Sequence, residues 1–237
     1  MQRYFGIKKD KNYLYLHDED YHHIKNVMRM NDGDIVEVVI DGSVYLGCIE
    51  NVKSNVQILI KKEIEKSEEF IPNVNIIIPP LKENKMDFIL QKSTEMGVSK
   101  ITICPLKRCV VKVDKKKLKS KMDRWSKILK EASEQSKRYK IPDIEFVDGL
   151  KNLENLDGLK IVCSTKEKEN SVKRVLTKNK KCDTINLVIG PEGGLDEVEE
   201  KKLNEYGFVS TTLGNRIMRV ETVPLFVLSV INYEYME

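Results

Sequence analysis

The sequence has 237 residues, 41% of them apolar and 33% charged, and 41 Lys and Arg against 37 Asp and Glu give a net charge of +4. This predicts a soluble chain of one or two domains. The longest mostly apolar run, residues 223–231, is about half of what a bilayer span needs. The first residues lack the apolar core of a secretory signal and the Arg/Ser-rich, acid-poor character of a transit peptide. Five cysteines, an odd number with no CxxC pair, argue against a disulfide framework or zinc knuckle. The expectation is a reduced, cytoplasmic protein with no membrane span and no metal, its thiols serving as buried hydrophobes.

Residues 1–70 read as β. Residues 35–40 and 44–49 flank Asp41-Gly42, a dipeptide that tolerates positive φ in a tight hairpin. Residues 13–16 form a short alternating strand, and residues 56–61 follow the turn residues Lys53-Ser54-Asn55. Residues 18–30 read as one helix with Tyr21, Ile24 and Met28 on its apolar side. Short strands around one helix predict a small barrel. Residues 63–72, charged and then broken by proline, read as a linker.

From residue 73 apolar runs alternate with amphipathic segments. Strands are expected at 74–78, 100–104, 159–163, 185–189 and 208–212; helices at 85–96, 118–138, 168–176, 196–206 and 221–233. That alternation predicts an α/β fold, a mostly parallel sheet covered by helices on both faces. Charge is uneven. Residues 1–70 hold 10 basic against 13 acidic groups, whereas residues 107–140 hold 14 against 4. In that basic stretch Leu118, Met122, Trp125, Leu129 and Ala132 recur at helical spacing, so the lysines fall on the opposite face. Such a face suits RNA or DNA phosphates, and it equally suits plain solvation.

In parallel sheets ligands sit beyond the carboxyl ends of the strands. Three loops qualify. Gly190-Pro191-Glu192-Gly193-Gly194 lets backbone approach a ligand, and Asp196 with Glu199 has capping-box spacing. It is neither a Walker A loop nor GxGxxG, and Glu192 disfavours a phosphate; a ribose, an adenine edge or a sulfonium suits it better, and a structural turn is the alternative. Residues 213–222 place Arg216, Arg219 and Glu221 after a strand-end glycine, which reads as a catalytic cluster or as a salt-bridged helix start. Ser164-Thr165 forms the third, small polar turn.

Five segments together resemble the RsmE family, the 16S ribosomal RNA uracil-N3 methyltransferases of the SPOUT class. They are HHIKNVMRMNDGD (22–34), KMDFILQKSTEMGV (85–98), EASEQSKR (131–138), IGPEGGLDEVE (189–199) and LGNRIMRVETV (213–223), in family order along nearly the whole chain. Departures such as Asn215, Met218, Val220 and Val223 remove no charged group, and Pro224 falls in the first turn of the last helix, where proline is tolerated.

The resemblance implies a PUA-like β-barrel RNA-binding domain over 1–70 and a SPOUT methyltransferase domain over 73–237, whose parallel sheet ends in a C-terminal trefoil knot. It implies S-adenosyl-L-methionine as methyl donor, 16S rRNA or the small ribosomal subunit as partner, and a homodimer. On this basis Glu221 is expected to take the uracil proton and Arg219 to hold the developing oxyanion, with Arg216 nearby. An Arg219–Glu221 ion pair is the competing role. The cofactor is assigned to Ser164, Thr165, Ile189, Gly190, Pro191, Glu192, Gly193, Gly194, Leu213, Gly214, Ile217 and Met218. RNA is assigned to Arg3, His23, Lys25, Arg29 and Arg138 and to the basic helix. His22 is read as a packed helix residue rather than a ligand. Rival readings are the same machinery acting on another RNA, a non-catalytic RNA-binding homologue, and a dehydrogenase. Pro79-Pro80-Leu81 stands where the last would need glycines.

Overall fold

The computed structural model describes residues 1–50, 56–64 and 72–235. The expected turn at residues 53–55 and most of the expected linker, residues 65–71, lie outside them. The chain divides into two units, Met1–Glu69 with Ser133–Ile141, and Phe70–Ala132 with Pro142–Glu237.

The first unit is a closed five-stranded barrel. Its strands are β1 (Arg3–Lys9), β2 (Tyr13–Leu16), β3 (Ile35–Ile40), β4 (Ser43–Glu50) and β5 (Gln57–Ile64), in the order β1-β2-β5-β4-β3. Parallel pairing of β1 with β3, with Tyr4 opposite Val38, closes it. Asp41 and Gly42 turn the β3–β4 hairpin with φ of 50° and 77°, the two positive values that a two-residue turn matching the strand twist requires. Tyr4, Leu14, Ile24, Val36, Val38, Ile49 and Ile58 fill the interior. Each such fully buried aliphatic side chain contributes roughly 1.5–3 kcal/mol.

Strand β1 was not expected, because RYFGIKK mixes both sides of the alternation. The helix expected over residues 18–30 is also corrected. It runs as α1 (Asp18–His22) and then widens into a π-helical turn at His23–Val27. That winding rotates later residues off the apolar face. Ile24 stays buried, whereas Met28 is 43% exposed. His22 is exposed rather than packed. Arg29 lies past the turn, in the left-handed region with φ 53°.

Residues 133–141 complete the barrel unit. Buried Arg3 donates through Nε to Glu37 at 2.8 Å and through its guanidinium to the carbonyls of Lys137 and Arg138. Its guanidinium also lies 5.1 Å from the Tyr139 ring centroid. Glu134 accepts from the backbone amide of Phe5 at 3.2 Å, and Tyr139 and Ile141 pack on Phe5, Val39 and Val44.

The second unit holds six parallel strands: β6 (Asn73–Ile78), β7 (Lys100–Ile103), β8 (Asp143–Phe146), β9 (Leu159–Cys163), β10 (Thr184–Ile189) and β11 (Val209–Thr211). Their order is β11-β9-β10-β6-β7-β8. The helices are α2 (Glu83–Glu95), α3 (Lys115–Gln135), α4 (Val172–Lys178), α5 (Glu197–Glu205) and α6 (Thr222–Tyr235). The expected α/β class is therefore observed. Edge strand β8, four residues long, went unexpected. The start of α4 is corrected from residue 168 to Val172, because the Glu167 carboxylate takes the amides of Lys168, Glu169 and Asn170 into a turn and Ser171 caps the helix. Trp125, Leu129 and Ala132 of α3 are buried as its spacing predicts, while Lys115, Lys116, Lys117 and Lys119 are exposed. All five cysteines are free; Cys104 is buried, and the other four are half-buried.

The Arg3–Glu37 pair generates a pH dependence. Burial alone would raise the Glu37 pKa, but hydrogen bonds from Lys137 and Arg3 outweigh it and hold the carboxyl below 4.5. A depressed folded pKa stabilises above the unfolded value, and that stability is lost as pH falls through the folded one. Glu37→Gln should therefore lower the free energy of opening of the barrel amides by about 1–3 kcal/mol at pH 7. Hydrogen exchange at Tyr4 and Val38, corrected for intrinsic rates, should show the gap from wild type closing below pH 4.5.

Candidate active site

Strands β11, β9 and β10 are neighbours in register. Cys163 lies opposite Thr211 on one side and Ile189 on the other. Their carboxyl ends thus reach one edge together, and the three following loops enclose a cleft of ≈ 580 Å³. That volume is ordinary for a cofactor-sized ligand.

All twelve residues expected to bind the cofactor line this cleft: Ser164, Thr165, Ile189, Gly190, Pro191, Glu192, Gly193, Gly194, Leu213, Gly214, Ile217 and Met218. Arg216 and Arg219 line it as well. Main chain forms much of the wall. Gly194 has φ 71° and its amide donates to the Pro191 carbonyl at 2.8 Å, which closes the turn; the positive φ is what restricts this position to glycine. Asp196 and Glu199 form the expected capping box at the start of α5. Cys163 floors the cleft, and burial pushes its thiol up to about 12, so it presents a neutral wall rather than a thiolate.

Two cationic side chains outside the sequence assignment support the site. Arg108, on the loop after β7, donates to the Gly193 carbonyl at 3.2 Å and reaches Asp196 at 3.5 Å. Lys85, in the first turn of α2, lies 3.1 Å from Glu192 Oε1 and 3.4 Å from Glu221 Oε2. The hydrogen bond to Glu192, with the negative charge of Glu221 beside it, raises the Lys85 pKa. Burial would raise Glu192, but its own backbone amide and Lys85 together bring it below the usual carboxylate range.

The Glu221 carboxylate therefore turns to Lys85, and not to Arg219. Among the described residues, the guanidinium groups of Arg216 and Arg219 make no ion pair, and both residues are exposed. Periodicity could not have singled out Lys85 or Arg108, since each reads as one more surface cation. A signal existed for Lys85: a cation in the first turn runs against the helix dipole.

The residues expected to meet RNA have mixed placements. Lys25 and Arg29 are exposed. The His23 ring is half-buried, with Nδ1 3.1 Å from the Tyr4 hydroxyl. Arg138 is half-buried, and Arg3 is buried in the clamp described above. Among the described residues no group of three or more His, Cys, Asp or Glu side chains could hold a metal ion, and no helix is long and apolar enough to cross a membrane.

A closed barrel followed by a parallel sheet with a glycine-walled cleft defines a two-unit, RNA methyltransferase-type architecture. The model of the RNA methyltransferase domain family matches residues 67–232, and that of the RNA methyltransferase PUA domain matches residues 16–61. The chain is 34% identical to the Bacillus subtilis (strain 168) ribosomal RNA small subunit methyltransferase E, over 99% of this chain and 97% of the relative. It is 31% identical to the enzyme of that name from Mesomycoplasma hyopneumoniae (strain 232), over 97% and 98%. A crystal structure of a ribosomal RNA small subunit methyltransferase E from Neisseria gonorrhoeae bound to S-adenosyl methionine superposes with a TM-score of 0.89 at 26% identity, covering 99% of this chain and 98% of that one. The chain belongs to the ribosomal RNA small subunit methyltransferase E family.

Proposed function

We propose that this protein transfers a methyl group from S-adenosylmethionine to N3 of a specific uridine in the 16S ribosomal RNA of the small subunit. The observation that carries the reading is the glycine-walled cleft lined by Arg216 and Arg219, which make no ion pair among the described residues, with Glu221 just behind its lining and tied to Lys85, which does line it. The cleft fits the donor. Main chain of the glycine loops can accept and donate to ribose and adenine edges, and Ile217 and Met218 offer apolar wall. Glu192 and Glu200 supply negative charge for a cation. When bound, the donor supplies an electrophilic methyl on a sulfonium.

The protein's share is to place the base and manage one proton. Uracil N3–H is too weak an acid to ionise at neutral pH, so the proton must leave before or during attack; a positioned carboxylate can take it, and Glu221 is that group in this reading. Negative charge then develops on the uracil oxygens, and Arg219, with Arg216 nearby, holds it. RNA is gripped on the barrel by Lys25 and Arg29, with His23 beside them. The exposed lysines of α3 and Arg138 add phosphate contacts. Arg3 drops out of that set because its guanidinium is spent on Glu37 and two carbonyls. The working form is a homodimer, supported by the apolar Phe88 on α2 and Tyr233 on α6, which are 42% and 83% exposed. The segment from β9 to α6 forms the trefoil knot, and the protein acts in the cytoplasm.

Mass mapping of small-subunit rRNA from cells lacking the protein should show loss of one N3-methyluridine; an unchanged map would overturn the assignment. Glu221→Gln and Arg219→Ala should each reduce kcat on small-subunit RNA by about a hundredfold or more, with donor affinity retained. Near wild-type turnover in both would exclude these roles. Gly194→Val forces a β-branched residue to φ 71°. It should weaken S-adenosylmethionine binding by about tenfold or more in titration calorimetry.

A further inference from the structure

Lys85 is a cleft-lining side chain that the proposed chemistry does not use. It sits three residues past Lys82, the residue that caps the N-terminus of α2, where the helix dipole disfavours a cation. Its ammonium stands between two carboxylates from different loops, exposed Glu192 at 3.1 Å and the more shielded Glu221 at 3.4 Å. The two contacts are unequal. The ammonium hydrogen-bonds Glu192, but it is not aligned for a hydrogen bond to Glu221. Glu221 Oε2 is inaccessible to solvent and, among the described residues, has no hydrogen-bond partner. A shielded carboxylate oxygen without a donor is costly unless a nearby charge or a ligand compensates it. Here the compensating charge is Lys85.

We infer that Lys85, which lines the cleft, is a positioning residue that fixes the Glu221 carboxylate behind it. The inference rests on the reading of Glu221 as proton acceptor. The geometry separates this role from simple packing. Lys85 attracts both acids, so removing its charge leaves Glu221 without its cation while α2 keeps its buried face of Met86, Ile89 and Leu90. A misplaced or reprotonated acceptor slows the chemical step more than it weakens binding.

A double-mutant cycle tests it, using single-turnover methylation of small subunits from cells lacking the enzyme, at saturating S-adenosylmethionine. Lys85→Met should slow methylation by on the order of tenfold to a hundredfold. Lys85→Arg, which keeps the charge, should recover most of the rate, and titration calorimetry should find donor affinity in Lys85→Met close to wild type. In a Glu221→Gln background, Lys85→Met should slow the reaction no further, because the two residues act as one unit.

An equal slowing in both backgrounds would overturn the inference and assign Lys85 to Glu192 and the glycine loop. So would a wild-type rate for Lys85→Met, a failure of arginine to rescue, or a loss of donor affinity that accounts for the slower rate. Glu221→Gln alone at the wild-type rate would remove the proton-acceptor reading and this inference together. A slow Glu221→Gln with additive Lys85→Met would remove only the inference.

Discussion

The parallel register of β11, β9 and β10 is the constraint on which the rest of the site depends. Because Thr211, Cys163 and Ile189 stand at one level, the three loops that follow leave the sheet at one edge. Chain segments more than fifty residues apart in sequence thereby face a single cleft. The apolar runs of these strands serve this geometry. Val162, Leu187 and Val188 are fully buried, and such burial resists the sliding that would stagger the loop origins. Slipping one strand would separate the glycine loop from the arginine loop without altering a residue of either.

Electrostatics then differentiates the loops. Arg108 and Lys107 gather at the start of α5 around Asp196, so the back of the glycine loop is tied down by cations. On the cleft side Lys85 is shared by two acids, Glu192 and Glu221. Arg216 and Arg219 stay unpaired among the described residues and exposed at the same cleft. Holding two guanidinium groups near each other without carboxylates is unfavourable for the fold by itself, and it becomes favourable when an anion or a polarised oxygen arrives.

Much of this was legible in the sequence. Asp41-Gly42 announced its hairpin because only a few dipeptides accept two positive φ values. The strands leading into the cleft announced themselves because fully buried strands read as apolar runs. Every expected cofactor residue reached the cleft because loop position follows from strand order once the sheet is parallel. Three of the failures share a cause: they depend on partners remote in sequence. Strand β1 is specified by β3 across the barrel closure rather than by its own alternation. Arg3 looks like a surface cation until residues 137 and 138 return to it, and Lys85 until Glu192 and Glu221 do. The π-helical turn after His22 is a local event with no compositional mark, and it was enough to turn Met28 out to solvent.

The return of residues 133–141 also revises the charge argument. Counted by sequence halves, the barrel is acidic and the basic stretch belongs wholly to the second unit. Counted by folded units, Lys137, Arg138 and Lys140 against Glu134 move a net +2 into the barrel unit, and residues 107–132 keep 11 basic against 3 acidic groups. The imported charge is not all available to a polyanion. Lys137 pairs with Glu37 at 2.9 Å, and the backbone around it is held by Arg3. Those residues therefore contribute more to closing the barrel unit than to binding phosphate. Of the other cations, Lys116, Lys117 and Lys119 of α3 and Arg29 of the barrel are exposed, whereas Lys115 pairs with Asp148 at 3.5 Å, Lys25 donates to the Tyr21 hydroxyl and Arg3 does its work inside the barrel unit. A cation's value to a nucleic-acid partner is set by what its own protein has not already asked of it, and that is decided by folding rather than by composition.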